Sequence, residues 1–138
     1  MKDSLYLVDT SVWLEVLPRG KADSELRQRV DALLAADLVA TTGIVRLELL
    51  GGARTEAQYR HLSRLLSALH LLPIVEECCT EAAQMGFQMR REGIAVPFTD
   101  LLIASVAADV DAVVVHRDRH FNVIAQHLSL KVESHVPA

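Results

Sequence analysis

The sequence predicts an α/β fold in which a central parallel sheet is covered by helices on both faces. Three observations carry that prediction. Short aliphatic runs ending in polar residues recur along the chain, LYLV at 5–8, LVAT at 38–41, LLPIV at 71–75, AVVVH at 112–116 and LKVE at 130–133. Segments of helical periodicity separate these runs, and alternation of strands with helices is the pattern of a parallel sheet. Hydrophobic residues make up 51% of the chain and aromatics only 4%, so the core is built from Leu, Val, Ala and Ile, as in buried parallel strands. The length of 138 residues predicts one domain spanning 1–138, which buries roughly 68–70% of the surface its unfolded chain exposes.

The first run leads into Asp9, Thr10 and Ser11, all of which accept hydrogen bonds from the free N–H groups of a first helical turn. Residues 23–36 then place Leu26, Val30, Leu33 and Leu34 on one helical face. The stretch TTGIVRLELLGGA opens a helix directly after the second strand, and Thr55 with Gln58 has the spacing of a capping box before Leu62, Leu65, Leu66 and Leu69. Cys78 and Cys79 are neighbours near a helix start. Adjacent cysteines neither staple a fold nor supply spaced metal ligands, so they read as reduced thiols. Pro97 precedes the almost wholly apolar LLIASVAA helix, which belongs in the middle of the fold, and RHFNVIAQHL follows the fourth strand.

The formal charge of −4 argues against a bulk basic surface for a polyanion and leaves room only for local patches. No apolar run approaches the roughly 18 residues of a membrane span, and no signal-like segment opens the chain. The protein is therefore expected to be cytoplasmic, with no membrane partner.

Parallel strands joined by crossovers bring their C-terminal ends to one sheet edge, where ligands of such folds bind. Asp9 follows the first strand, Glu48 lies within about two turns of the second, Asp100 stands in the first turn of its helix, and Asp118 lies just beyond AVVVH. Each has a plainer explanation by itself: a cap for Asp9 and Asp118, a dipole partner for Asp100, a solvent-facing position for Glu48. Against the last stand Leu47, Leu49 and Leu50, an apolar setting in which an exposed glutamate is not expected. Two carboxylates about 4 Å apart repel by roughly 4 kcal/mol at an effective dielectric near 20. A hard divalent cation relieves that repulsion, and oxygen ligands with room for water describe Mg²⁺ or Mn²⁺ rather than zinc.

The fragments YLVDTSVWLEV, VRLELLGGA, VPFTDLLIASVA and HRDRHF, in this order and across essentially the whole chain, resemble the acidic motifs of PIN-domain ribonucleases. Small size and the ELL and DLLIA patterns are most similar to VapC-type toxins of bacterial type II toxin-antitoxin systems. The resemblance implies a three-layer α/β/α sandwich, Mg²⁺- or Mn²⁺-dependent endoribonuclease activity, an RNA substrate, a homodimer and inhibition by a cognate VapB-type antitoxin. By motif, Asp9, Glu48, Asp100 and Asp118 are the acidic quartet, with Asp9, Asp100 and Asp118 as metal ligands. His116 departs from the pattern, because the family often carries Thr or Ser there. A mean hydropathy of +0.23 adds an expectation of apolar surface covered by another subunit or by the antitoxin.

Secondary expectations attach to neighbouring residues. Thr10 and Ser11 either orient a metal-bound water or cap the first helix, and His116 stands behind the acids. Arg117, Arg119 and His120 bracket Asp118 and offer positive charge to RNA phosphates, or form a solvated loop of mixed charge. Trp13, Leu14 and Leu17 offer a groove for an antitoxin segment, with core packing the plainer role for Trp13. Two other readings compete with a nuclease. A magnesium-dependent phosphoryl-transfer domain calls for a second acid beside Asp9 and a lysine at a later strand end, and here Asp9 is followed by TSV. A non-catalytic PIN-fold binding module has no need of a complete quartet.

Overall fold

A computed structural model describes residues 3–17 and 24–138. Five strands form one sheet: β1 (Tyr6–Val8), β2 (Val39–Thr41), β3 (His70–Leu71), β4 (Val113–His116) and β5 (Lys131–Ser134). Their spatial order is β3-β2-β1-β4-β5 and every neighbouring pair is parallel. β1 pairs Tyr6 with Val39 on one side and with Val113 on the other. The strand order therefore reverses at β1, and the crevice beyond the carboxyl ends of β1 and β4 is the switch point at which ligands bind in open parallel sheets.

The helices are α1 (Thr10–Val16), α2 (Glu25–Ala35), α3 (Gly43–Gly51), α4 (Glu56–Ser67), α5 (Glu76–Arg91), α6 (Phe98–Asp109) and α7 (Arg119–Ile124). α6 buries Leu101, Ile103, Ala104, Ser105, Val106 and Ala107, nearly its whole circumference, as a helix enclosed on all sides must. It packs on β4, and α5 runs along it. The caps follow the sequence: Ser24 Oγ accepts from Arg27 N–H, Thr42 Oγ1 from Val45 N–H and Thr55 Oγ1 from Gln58 N–H. The Gln58 side chain reaches back to Arg54 N–H at 2.8 Å, one residue before the box position. Position 23, where the second helix was expected to open, lies outside the described residues.

Three helices end alike. After α2, α5 and α6, the residues Asp37, Gly93 and Asp111 take positive φ of 56°, 79° and 56°. The bonds Leu38 N–H to Leu33 O, Ile94 N–H to Met89 O and Ala112 N–H to Ala107 O close the three turns. These are Schellman closures. Two of them turn the chain straight into β2 and β4.

One strand differs from expectation. The third is His70–Leu71 and not the run 71–75. Leu72 N–H still bonds Thr41 O at 2.8 Å, but Pro73 has no N–H to continue the ladder, so pairing stops there.

The last strand is clasped to α2. Arg29 Nη2 donates to Glu133 Oε1 at 2.8 Å and Arg29 Nε to Oε2 at 3.1 Å. The guanidinium lies 5.3 Å from the Tyr6 ring centre, and His135 Nε2 is 2.8 Å from Glu133 Oε2. Arg29 foremost, with His135, holds the Glu133 carboxyl below its ordinary range. A depressed folded-state pKa gives stability that is present above the unfolded value and is lost as pH falls through the folded one. Glu133→Gln is thus expected to lower stability at pH 7 and to flatten its decline below about pH 4, as read by urea unfolding across that range.

Candidate metal centre and active site

Asp9 leaves β1 at the switch point and is only 4% exposed. Its cap role is real: Oδ2 accepts from Ser11 N–H at 3.0 Å and from Ser11 Oγ at 2.6 Å. Ser11 Oγ in turn accepts from Arg117 N–H at 3.0 Å, so one hydroxyl ties the turn after β1 to the turn after β4. Burial is the main force raising the Asp9 pKa; the Ser11 bonds pull it back and the Asp118 charge adds to the rise.

Asp118 is the N-cap of α7, accepting from His120 N–H at 2.9 Å. Asp100 enters from the first turn of α6. Between these two carboxylates stands the His120 imidazole, its Nδ1 2.9 Å from Asp118 Oδ1 and 3.3 Å from Asp100 Oδ2. Ligand atoms of Asp100, Asp118 and His120 all lie within 4.8 Å of one another. The Asp100 pKa is pushed up to about 7, first by burial, then by the negative charges of Asp118 and Asp9, with His120 opposing. The Asp118 charge acts on both Asp9 and Asp100, and the Asp9 charge acts on Asp100.

Glu48 stands apart. It is an exposed residue of α3 whose Oε1 accepts from Thr10 Oγ1 at 3.2 Å, so it reaches the group through α1. The apolar setting inferred for it does not hold, because Leu47 is 71% exposed. α3 turns Val45 and Leu49 inward, and residues 47 and 48 share the outer side.

His116 is fully buried, with its ring 5.2 Å from that of Phe121. Its Nδ1 accepts from Asp118 N–H at 3.2 Å. It therefore supplies the acceptor that a Thr or Ser hydroxyl would offer, and burial lowers its pKa, favouring the neutral ring that can accept. Arg117 is half-buried and 3.5 Å from Glu15 Oε2, while Arg119 is exposed at the start of α7. Trp13 is in the core, whereas Leu14 and Leu17 line a groove of about 350 Å³ with Glu48, Leu49 and Leu62.

Sequence reasoning gave His120 only an RNA-facing role and did not see it between two acids. The available signal was its place two residues inside a helix capped by Asp118. The Ser11 bridge left no signal, since it spans 106 positions.

Residues 6–126 match the model of the PIN domain. The chain belongs to the PIN-domain family. Ribonuclease VapC18 of Mycobacterium tuberculosis is 30% identical over 137 aligned positions, covering 96% of each chain. Ribonuclease VapC51 of the same organism is 33% identical, covering 96% of this chain and 94% of its own. Among solved structures, VapBC-5 from M. tuberculosis, a member of the VapBC family of toxin-antitoxin systems, superposes with a TM-score of 0.62 at 25% identity, covering 98% of this chain and all of that one. VapBC2 from Rickettsia felis, bound to a promoter DNA fragment, does so at 0.75 and 20% identity, covering 94% and 98%. The five-stranded parallel sheet flanked by helices is thus the PIN architecture. PIN nucleases depend on a divalent metal, and the donor set here suits one, with two carboxylates and an imidazole nitrogen close together and a third carboxylate coupled to them.

Proposed function

We infer that this chain is a metal-dependent endoribonuclease, the toxin of a toxin-antitoxin pair, in which Asp9, Asp100 and Asp118 hold Mg²⁺ or Mn²⁺ and Glu48 completes the acidic quartet from the rim. The observation that carries the reading is the approach of three acids to one another at the switch point, with the Asp100 pKa pushed up to about 7 by burial first and then by the charges of Asp118 and Asp9. A bound divalent cation at such a site lowers the pKa of water and offsets the charge that builds on a phosphodiester under attack. The residues do the positioning. Ser11 fixes Asp9, the α7 N-terminus and His116 fix Asp118, and the imidazole of His120 stands between Asp118 and Asp100. Exposed Arg119 faces RNA phosphates.

RNA and the cognate VapB-type antitoxin are the partners, and the free protein is a homodimer working in the cytoplasm. Among the described residues no helix is long and apolar enough to cross a membrane. The groove beside Glu48, with Leu14 63% exposed at its edge, suits an apolar antitoxin segment. An arginine on that segment pairs bidentately with the acids and takes the place of the cation.

Incubation with a mixed cellular RNA pool, with and without Mg²⁺ or Mn²⁺, and mapping of the cut ends tests the activity. Internal cuts that require the cation are expected; intact RNA in every arm sinks the nuclease reading. Binding of the ion is expected to raise the melting temperature, with about 2.7 kcal/mol gained at a hundredfold excess over Kd. No thermal shift in the native chain with either ion would overturn the metal assignment.

A further inference from the structure

His120 is the second residue of α7, and the turn that places it there also carries it to the acids. Asp118 caps the helix by accepting from His120 N–H at 2.9 Å, which folds residue 120 back over its own cap. Nδ1, the ring nitrogen nearer the backbone, then comes to 2.9 Å from Asp118 Oδ1 and 3.3 Å from Asp100 Oδ2. Phe121, the next residue, is fully buried and holds this turn of α7 to the core.

Two roles fit an imidazole between two carboxylates: a charged partner or a metal ligand. A charged partner aims Nδ1–H at a carboxylate oxygen. Neither approach here has hydrogen-bond geometry, and among the described residues Nδ1 is a buried nitrogen with no hydrogen-bond partner. The side chain as a whole keeps 42% exposure, so water reaches its outer part and not this atom. An unpaired buried polar atom costs about 1–3 kcal/mol. A cation that takes the Nδ1 lone pair removes that cost.

The spacing agrees with the second role. Around an octahedral ion with bonds of about 2.1 Å, ligands at neighbouring corners stand ~3 Å apart and ligands at opposite corners ~4.2 Å apart. Nδ1 lies at neighbouring-corner distances from both oxygens, and ligand atoms of Asp100, Asp118 and His120 all lie within 4.8 Å of one another.

We propose that His120 Nδ1 is a ligand of the cation and that it biases this centre toward Mn²⁺ and away from Mg²⁺. The inference rests on the metal-dependent reading above and names the preferred ion. Mg²⁺ is a hard ion that favours oxygen and gives up its water reluctantly, so an uncharged nitrogen adds little to its binding. Mn²⁺ accepts mixed nitrogen and oxygen sets more readily, and imidazole draws affinity toward transition metals. A fourth carboxylate in place of His120 would serve both ions; the imidazole serves chiefly one.

The test uses the full chain with MnCl₂ or MgCl₂ alone, for the native protein and for His120→Asp and His120→Ala, with circular dichroism as the check on folding. Dissociation constants are read from thermal-shift titrations, and pulsed EPR reads the atoms bonded to Mn²⁺. The native Mn²⁺ spectrum is expected to carry the hyperfine modulation of a directly bonded imidazole nitrogen, and that of His120→Asp to lack it. His120→Ala is expected to weaken Mn²⁺ binding by roughly tenfold or more and Mg²⁺ binding much less. In His120→Asp the ratio of the two dissociation constants should move toward Mg²⁺ by at least tenfold. The native spectrum decides the ligand even if a variant misfolds. Binding of neither ion by the native chain overturns the metal-dependent reading and this inference together. Tight Mn²⁺ binding without nitrogen modulation leaves the metal centre standing and removes His120 from it. Nitrogen modulation with an ion ratio that is the same in His120→Asp overturns the claim that His120 sets the preference.

Discussion

Asp100→Asn is expected to abolish RNA cleavage while making the metal-free protein more stable at pH 8. Loss of a ligand should cost at least the roughly 10–100-fold typical of residues behind the ligands, so a fall of more than about 100-fold in cleavage rate is anticipated. The stability change has the opposite sign. Asp100 titrates near 7 in the folded chain against an ordinary 3.8. A raised folded-state pKa gives stability that is complete below the unfolded value and is lost as pH rises through the folded one. Ionised Asp100 is thus a burden on the metal-free fold above about pH 7, and asparagine removes it. Melting temperatures of the two proteins should coincide near pH 4 and separate in favour of the variant by pH 8. A variant that melts earlier at pH 8 and still cuts RNA would assign Asp100 to the scaffold instead.

Phe121→Ala is the substitution with the largest expected effect on stability. Phe121 is fully buried on α7, a helix of six residues, and its ring leans on that of His116. Truncating a core phenylalanine costs about 3–5 kcal/mol, enough at this chain length to lower the melting temperature by on the order of 10 °C. The same change removes what seats α7, and α7 carries both the Asp118 cap bond and His120. Mn²⁺ affinity, read from the thermal shift, should therefore fall as well. Phe121→Leu should recover most of both losses. Full loss of stability with unchanged Mn²⁺ affinity would show that α7 is seated by other contacts.

The architecture was legible because its signals are local: aliphatic runs, caps and periodicity each lie within a dozen residues. Where a local cue was missing, the reading failed. The third strand was placed too late because LLPIV is apolar throughout, and only the missing N–H of Pro73 separates paired from unpaired backbone. Glu48 was given a dry setting because flanking leucines say nothing of which way a helix turns, and Leu47 faces water. Asp9 and Asp118 were legible from the ends of strands, Asp100 from the first turn of its helix, and all three from the family motifs they resemble. The contacts around them were not: the Ser11 bridge to Arg117 and the His120 contact with Asp100 depend on packing between distant segments, as does the Arg29–Glu133 clasp elsewhere in the fold.

The pairing of β1 with β4 has a meaning in time. Residues 6–8 are made long before their partners at 113–115. The central strand of the sheet therefore waits, half paired, while the segments between them are synthesised, and closing so long a loop is slow. Asp9 exists from the start, yet Asp100 and Asp118 reach it only when α6 and β4 have docked. The cluster is therefore tied to the pairing of widest sequence separation in the sheet, and forms no earlier than that pairing does.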